Sequence, residues 1–277
     1  MAKQTLIIET AKSLSLRGGM IVIEDRTTET ETLRSLEDVR MIIVDHHSVS
    51  LTVPLINRLS DNNVCVVFCD ETHMPVTMTM DLESHSMQSK RFQHQLSASL
   101  PTNKRLWKQI VEAKIRNQSR LLQKRGVEDR VLARYYTNVK SNDSTNREGA
   151  AAKVYWKKLV SKDFVRDRYG MAPNSLLNYG YALMRAAMAR CLMNAGLLPT
   201  VGIFHKSCYN AFPLADDMME PYRPFVDRKV MELYESGVTD VGRETKRTLL
   251  EMFYSDISMS DVLLSASTLS DTYEPFL

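Results

Sequence analysis

Three side chains of metal-ligand type stand in unusual local contexts. Glu148 lies in NREGAAAKVYW (146–156), and His205 and Glu220 lie in GIFHKSCYNAFPLADDMMEPYRP (202–224). One imidazole with two carboxylates suits a hard-to-borderline divalent ion such as Mg²⁺ or Mn²⁺, with positions left for phosphate oxygens and water. Upstream, residues 86–140 carry thirteen Lys+Arg against three Asp+Glu. A metal beside so cationic a surface is what phosphodiester chemistry on nucleic acid needs.

Each candidate also has a structural explanation. Thr145-Asn-Arg-Glu148 fits a capping box at a helix start. Gly149 in that first turn is unfavourable unless something must approach the backbone closely, so both readings of Glu148 stay open. His205 follows the apolar Gly202-Ile203-Phe204, the setting of a partly buried histidine bonded to backbone. Asp216 and Asp217 precede Glu220 by four and three residues, on one face of a helix. Carboxylates clustered this way repel unless a cation sits among them, and Arg223 and Arg228 are close enough to be that cation. Asp45-His46-His47 and Asp70/Glu71/His73 fall at strand ends, where polar side chains collect anyway. Trp107, Trp156 and most of the sixteen methionines read as core. Cys208 near His205 has no accompanying oxyanion-hole motif.

The elements that must position these residues divide in two. TLIIET (5–10), GMIVIED (19–25), VRMIIVDH (39–46), SVSLTV (48–53) and NVCVVFCD (63–70) read as strands, separated by turns such as Arg17-Gly18-Gly19. PLINRLS (54–60) reads as a short helix with Pro54 in its first turn. Beyond about residue 90 the pattern is helical: LWKQIVEAKIRNQSRLLQKRG (106–126), EGAAAKVYWKKLV (148–160), SLLNYGYALMRAAMARCLMNAG (175–196), and amphipathic helix from 214 to 254 before a weakly patterned tail. The third of these is apolar on most sides and is expected at the centre. The fold class is therefore α+β, with a small N-terminal β domain (1–75), a connector (76–89) and a larger all-helical domain (90–277).

The bulk composition fits that scheme. At 277 residues and 44% hydrophobic content, the chain can bury a core in each domain. It has no apolar run long enough to span a membrane and no signal-peptide pattern. Cys65, Cys69, Cys191 and Cys208 lack zinc-pair or CxxC spacing and read as reduced, buried thiols, which points to the cytoplasm. The net charge of +3 conceals a partition: −4 over 1–80, +10 over 86–140, +5 over 141–190 and −6 over 191–277. The basic middle reads as a polyanion-binding surface, with Lys108, Lys114, Arg116 and Arg120 on one face of the 106–126 helix to hold DNA phosphates.

NREGAAAKVYW, NSLLNYGYALM (174–184) and GIFHKSCYNAFPLADDMMEPYRPFVD (202–227), with IIETAKSLSLRGGMIVI (7–23) near the start, closely resemble the CRISPR spacer-acquisition integrase, the Cas one family, and its type II members most. The resemblance covers nearly the whole chain. It implies Glu148, His205 and Glu220 as catalytic ligands of Mg²⁺ or Mn²⁺, and Asp217 as an acidic support behind them. It also implies a symmetric homodimer formed through the β domain, bridging to a dimer of the second Cas protein (Cas two), with other type II adaptation proteins as further partners. Together they would insert short DNA duplexes into a CRISPR array. Ala150 departs from the larger residue expected after Glu-Gly. Two other readings compete. One is a non-catalytic DNA-binding architectural subunit with a merely structural acidic cluster. The other is a hydrolase for a small phosphate ester, against which the breadth of the cationic segment argues.

Overall fold

The computed structural model describes residues 4–127 and 129–252, so the expected tail beyond 254 lies outside the described residues. The chain forms two compact units, Met1–Glu83 and Ser84–Leu277.

The first unit holds two four-stranded sheets. One contains β1 (Gln4–Ile8), β5 (Val39–Val44), β7 (Cys65–Cys69) and β8 (Pro75–Met78), in the order β1-β5-β7-β8. Its first three strands are parallel, and β5 and β7 read as nearly continuous apolar runs, as strands covered on both faces do. The other contains β2 (Lys12–Arg17), β3 (Met20–Asp25), β4 (Thr30–Ser35) and the short β6 (Ser50–Leu51). The β2–β3 turn places Gly18 and Gly19 at positive φ (59° and 77°), which a tight hairpin turn requires. Helix α1 (Val53–Asp61) carries Pro54 in its first turn and sends Leu55 and Leu59, one turn apart, into a core with Leu14, Ile21, Ile42 and Val66.

Three strands have no counterpart in the sequence reading. β2, KSLSLR, buries only Leu14, and β4, TETLRS, buries nothing, so neither shows the run of Ile and Val that marks the others. β8 pairs antiparallel with β7 at the sheet edge, where Pro75 is tolerated. The stretch 76–89 expected as a connector thus carries most of a strand, the boundary between units and the start of a helix.

The second unit is helical: α2 (Gln88–Leu96), α3 (Leu100–Lys124), α4 (Val131–Tyr136), α5 (Arg147–Leu159), α6 (Asn174–Asn194), α7 (Pro213–Met219), α8 (Arg223–Glu235) and α9 (Arg243–Glu251). Gly126 and Gly196, at positive φ, end α3 and α6 as expected from the sequence. α3 packs against α4, α5, α7 and α8, and so holds a central position in addition to the one expected of α6. It buries Asn117, Gln118 and Ser119 along with Trp107, Ile110, Val111, Ile115 and Leu122. The thiols differ from expectation: Cys65 is buried, but Cys191 and Cys208 are exposed. Among the described residues, no helix is long and apolar enough to cross a membrane.

Candidate active site

Glu148 enters the site from the first turn of α5. The N-cap is not Thr145 but Asn146, in the left-handed region (φ 50°), where asparagine is tolerated. Its side-chain oxygen accepts from Gly149 N at 3.1 Å, and Asp143 accepts from Arg147 N and Glu148 N at 2.8 and 2.9 Å. A Cβ on residue 149 would stand 2.7 Å from Asn146 Oδ1, so a larger residue there would force the capping side chain to shift. With the helix start satisfied by Asn146 and Asp143, the capping-box account of Glu148 fails and its carboxylate is released for another use.

That use is an ion pair with Lys114. Lys114 Nζ lies 2.6 Å from Glu148 Oε1 and 2.5 Å from Glu220 Oε2, so side chains from α3, α5 and the 3-10 turn 220–222 meet at one ammonium. Arg223 Nε lies 2.9 Å from the other Glu220 oxygen. The lysine side chain is 12% exposed and the Glu220 side chain 5%. Burial alone pushes the Glu220 carboxyl up, but Arg223 and Lys114 outweigh it and hold the group below its ordinary value. Burial likewise pulls the Lys114 ammonium down, and Glu220 and Glu148 more than compensate, leaving it raised.

His205 is positioned by Asp217, whose side chain is fully buried. Asp217 accepts from the backbone N–H of Ile203 (2.7 Å), Phe204 (2.9 Å) and His205 (3.3 Å), and its Oδ1 lies 2.5 Å from His205 Nδ1. One carboxylate on α7 therefore folds the 203–205 turn and orients the imidazole it carries. Gly202 permits this: a Cβ there would come within 2.2 Å of the His205 carbonyl oxygen. Phe204 stacks flat on the buried Trp107, with ring centroids 4.3 Å apart, closing the turn onto α3. Asp217's hydrogen bond raises the His205 pKa against partial burial, and the charges of Glu220 and Glu148 raise it further. The nearby Asp216 is committed elsewhere, to Arg185 Nε at 2.9 Å and Asn210 Nδ2 at 2.8 Å.

Among the described residues, no three His, Cys, Asp or Glu side chains converge closely enough to hold a metal as they stand. The chemistry of the set nevertheless fits one. Two carboxylates share a cation, and a third group is an imidazole with Nδ1 committed to a buried carboxylate. A histidine fixed through one nitrogen by a carboxylate offers the other as a ligand.

The four cations expected to line a DNA-binding face do not share one. Lys108 pairs with Glu112 at 3.6 Å and Arg116 lies over the Tyr136 ring. Arg120 lines a groove with Lys124, Arg228 and Phe225. Lys114 is inside, between the acids. Its position was readable: it follows Trp107 by seven residues and Ile110 by four, and precedes Leu121 by seven, which is the apolar stripe of α3. The two weaker candidate groups meet at one pair. Asp45 is held by His73 Nδ1 at 2.8 Å, and His46 and His47 stack on each other.

A family model described as CRISPR associated protein Cas1 matches residues 6–251. A CRISPR-associated endonuclease Cas1 of Neisseria meningitidis serogroup C (strain 8013) is 36% identical over 86% of this chain and 78% of its own length. A casposase bound to an integration product superposes with a TM-score of 0.73 at 26% identity, over 92% of this chain and 82% of its own. A Cas1 protein from Thermotoga maritima gives 0.71 at 18% identity, covering 96% of this chain and 95% of its own, a likeness of fold. With the family model matching nearly the whole length, the chain belongs to the CRISPR-associated Cas1 family.

Proposed function

We propose that the protein is a divalent-metal-dependent DNA integrase and endonuclease that inserts short foreign duplexes into a CRISPR array. The observation that carries this reading is the convergence of Glu148 and Glu220, from separate elements, on a single cation beside an imidazole held by Asp217. Names of relatives support the same chemistry: the Neisseria relative is called an endonuclease, and the casposase is bound to an integration product.

Glu148, His205 and Glu220 would hold Mg²⁺ or Mn²⁺, which when bound supplies Lewis-acid polarisation of the scissile phosphate. The chain's own contributions are distinct from that. Asp217 keeps the proton on His205 Nδ1, leaving Nε2 as the ligand atom. Arg223 keeps Glu220 ionised in a buried position. Lys108, Arg116 and Arg120 hold DNA backbone phosphates without reading bases. The 3′-hydroxyl of the incoming duplex attacks in line and joins the strands, and water in its place gives hydrolysis. Family membership further supports a cytoplasmic homodimer formed through the N-terminal unit, assembled with the second Cas protein (Cas two) and other type II adaptation proteins.

The test is joining of a labelled duplex with free 3′-hydroxyls to supercoiled plasmid in Mn²⁺ or Mg²⁺, with Cas two present. Joining that is lost in His205→Ala supports the site. A His205→Ala protein that joins like the wild type overturns it.

The architectural reading has one observation in its favour: Lys114 and Arg223 already neutralise both carboxylates without a metal. It predicts no rise in melting temperature with Mn²⁺.

A further inference from the structure

Lys114 has an unusual place for a lysine. Its side chain rises from the apolar stripe of α3 and ends between Glu148 and Glu220, the two carboxylates read above as metal ligands. Taken with Arg223, the two carboxylates are matched by an ammonium and a guanidinium, and the buried Asp217 carboxylate behind the imidazole adds one negative charge. Adding a divalent ion while both cations stay gives this largely buried cluster a net positive charge, which such a site tolerates poorly. The ammonium also stands on the two oxygens that a metal would bind. One cation must therefore leave for another to enter. Arg223 is ill placed to be the one, because its guanidinium also packs 4.5 Å over the Tyr181 ring. Lys114 has a long flexible stem and holds only the two carboxylates.

We propose that Lys114 is the resident counter-cation of the site: its ammonium fills the position between Glu148 and Glu220 in the metal-free protein, is displaced by the divalent ion, and moves onto a phosphate of bound DNA. This rests on the reading of Glu148 and Glu220 as metal ligands. Two consequences follow from charge balance. The site stays assembled without metal, because the carboxylates never face each other unpaired. Metal and DNA also load cooperatively, because a DNA phosphate supplies the anion the displaced ammonium needs, and linkage makes the coupling reciprocal.

The experiment is a Mn²⁺ titration of wild type and Lys114→Met, followed by the electron paramagnetic resonance of free Mn²⁺. Each protein is measured with and without a short duplex blocked at its 3′ ends, and binding by the duplex alone is subtracted. Wild type should bind Mn²⁺ at least about fivefold more tightly with the duplex, and Lys114→Met without it at least about tenfold more tightly than wild type, with little further gain from DNA. In EDTA the variant should melt at least about 4 °C below wild type, and Mn²⁺ should restore it. Lys114→Gln, which keeps hydrogen-bonding capacity without charge, gives the same comparison if the methionine variant does not fold. Mn²⁺ binding in a folded variant no tighter than in wild type overturns the proposal while leaving the metal site standing. So does wild-type binding that ignores DNA. Absence of Mn²⁺ binding by both proteins removes the metal reading itself, and the proposal with it.

Discussion

Glu220 and Asp227 lie seven residues apart, both with their carboxyls in the interior of the helical unit, and burial alone pushes each carboxyl up. They end on opposite sides of the ordinary value. Glu220 faces Arg223 and Lys114 and is held down. Asp227 accepts from the phenols of Tyr155, at 2.6 Å, and Tyr181, and its carboxyl is pushed up to about 6. At Asp227 the phenols, with weaker help from Arg223 and Arg166, offset only part of the effect of burial, whereas at Glu220 Arg223 and Lys114 outweigh it. Arg223 joins the two centres, bonded to Glu220 on one side and over the Tyr181 ring on the other. A carboxylate answered by cations remains charged and can exchange one cation for another. One answered by phenols is a fixed strut between α5, α6 and α8.

The largest difference should appear on removing charge from the first centre. Glu148→Gln should cut strand transfer on the order of 10³-fold or more while shifting the melting temperature by no more than about 3 °C, since Lys114 keeps Glu220 as a partner. Glu220→Gln should lose joining to the same extent and also destabilise by about 3 kcal/mol, because Arg223 loses its ion-pair partner and Lys114 keeps only Glu148. Plasmid joining and thermal melts read both. Variants that melt early but join normally would erase the distinction and make the acidic cluster structural.

Asp217→Asn tests the arm that carries His205. Loss of the group orienting a ligand should lower joining by about 10–100-fold. The pH dependence is more diagnostic. His205 must be neutral to act as a ligand, and Asp217 raises its pKa, so activity should rise with pH through a value above the ordinary 6.5. With asparagine that rise should move toward acid. The stabilising His205–Asp217 ion pair is present below the unfolded-state pKa and is lost as pH climbs through the raised folded value. An unmoved pH limb in the variant would show that Asp217 does not set the histidine's charge.

The second centre should behave in reverse. Between the unfolded value of 3.8 and the folded value of about 6, the native state holds more protons at Asp227. Its contribution to stability therefore falls as pH rises across that window, by on the order of 2–3 kcal/mol, and then levels off. Asp227→Asn should remove this component from urea denaturation measured at pH 4, 5, 6 and 7, while joining stays within about threefold. A collapse of joining comparable to Glu148→Gln would mean the strut belongs to the chemistry.

What the sequence disclosed follows the same division. Strands whose burial covers both faces, β5 and β7, and helices bounded by Pro173, Gly126 and Gly196 are written in composition and punctuation, so they stood out. β4 has no buried face and left no periodic trace. Glu148, His205 and Glu220 stand out by residue type and local oddity, while the residues around Gly149 leave open whether anything approaches it; in the structure the side chain of Asn146 does. Lys114 is hard to place from composition because it lies in a basic stretch, and only its angle around α3 points it inward. The Asp227–Tyr155–Tyr181 cluster gave no sign, since its members are 26 to 72 residues apart and only the fold brings them together.

The smallest effects belong to the cations that do face outward, and they separate Lys114 from its neighbours on α3. Lys108 is paired with Glu112 and Arg116 rests on Tyr136, so each is partly committed before DNA arrives. Replacing Lys108 by Ala should weaken duplex binding about two- to threefold and lower the slope of log K against log salt by at most about one, with no change in melting temperature. Lys114→Met should leave the metal-free slope untouched, because an ammonium held between two carboxylates has no phosphate to release counterions from. With Mn²⁺ present the displaced wild-type ammonium becomes such a contact, and the wild-type slope should then exceed that of Lys114→Met by up to one. Equal slopes for the two proteins in both conditions would return Lys114 to a purely structural role, and Lys108 would be the better guide to how this helix meets DNA.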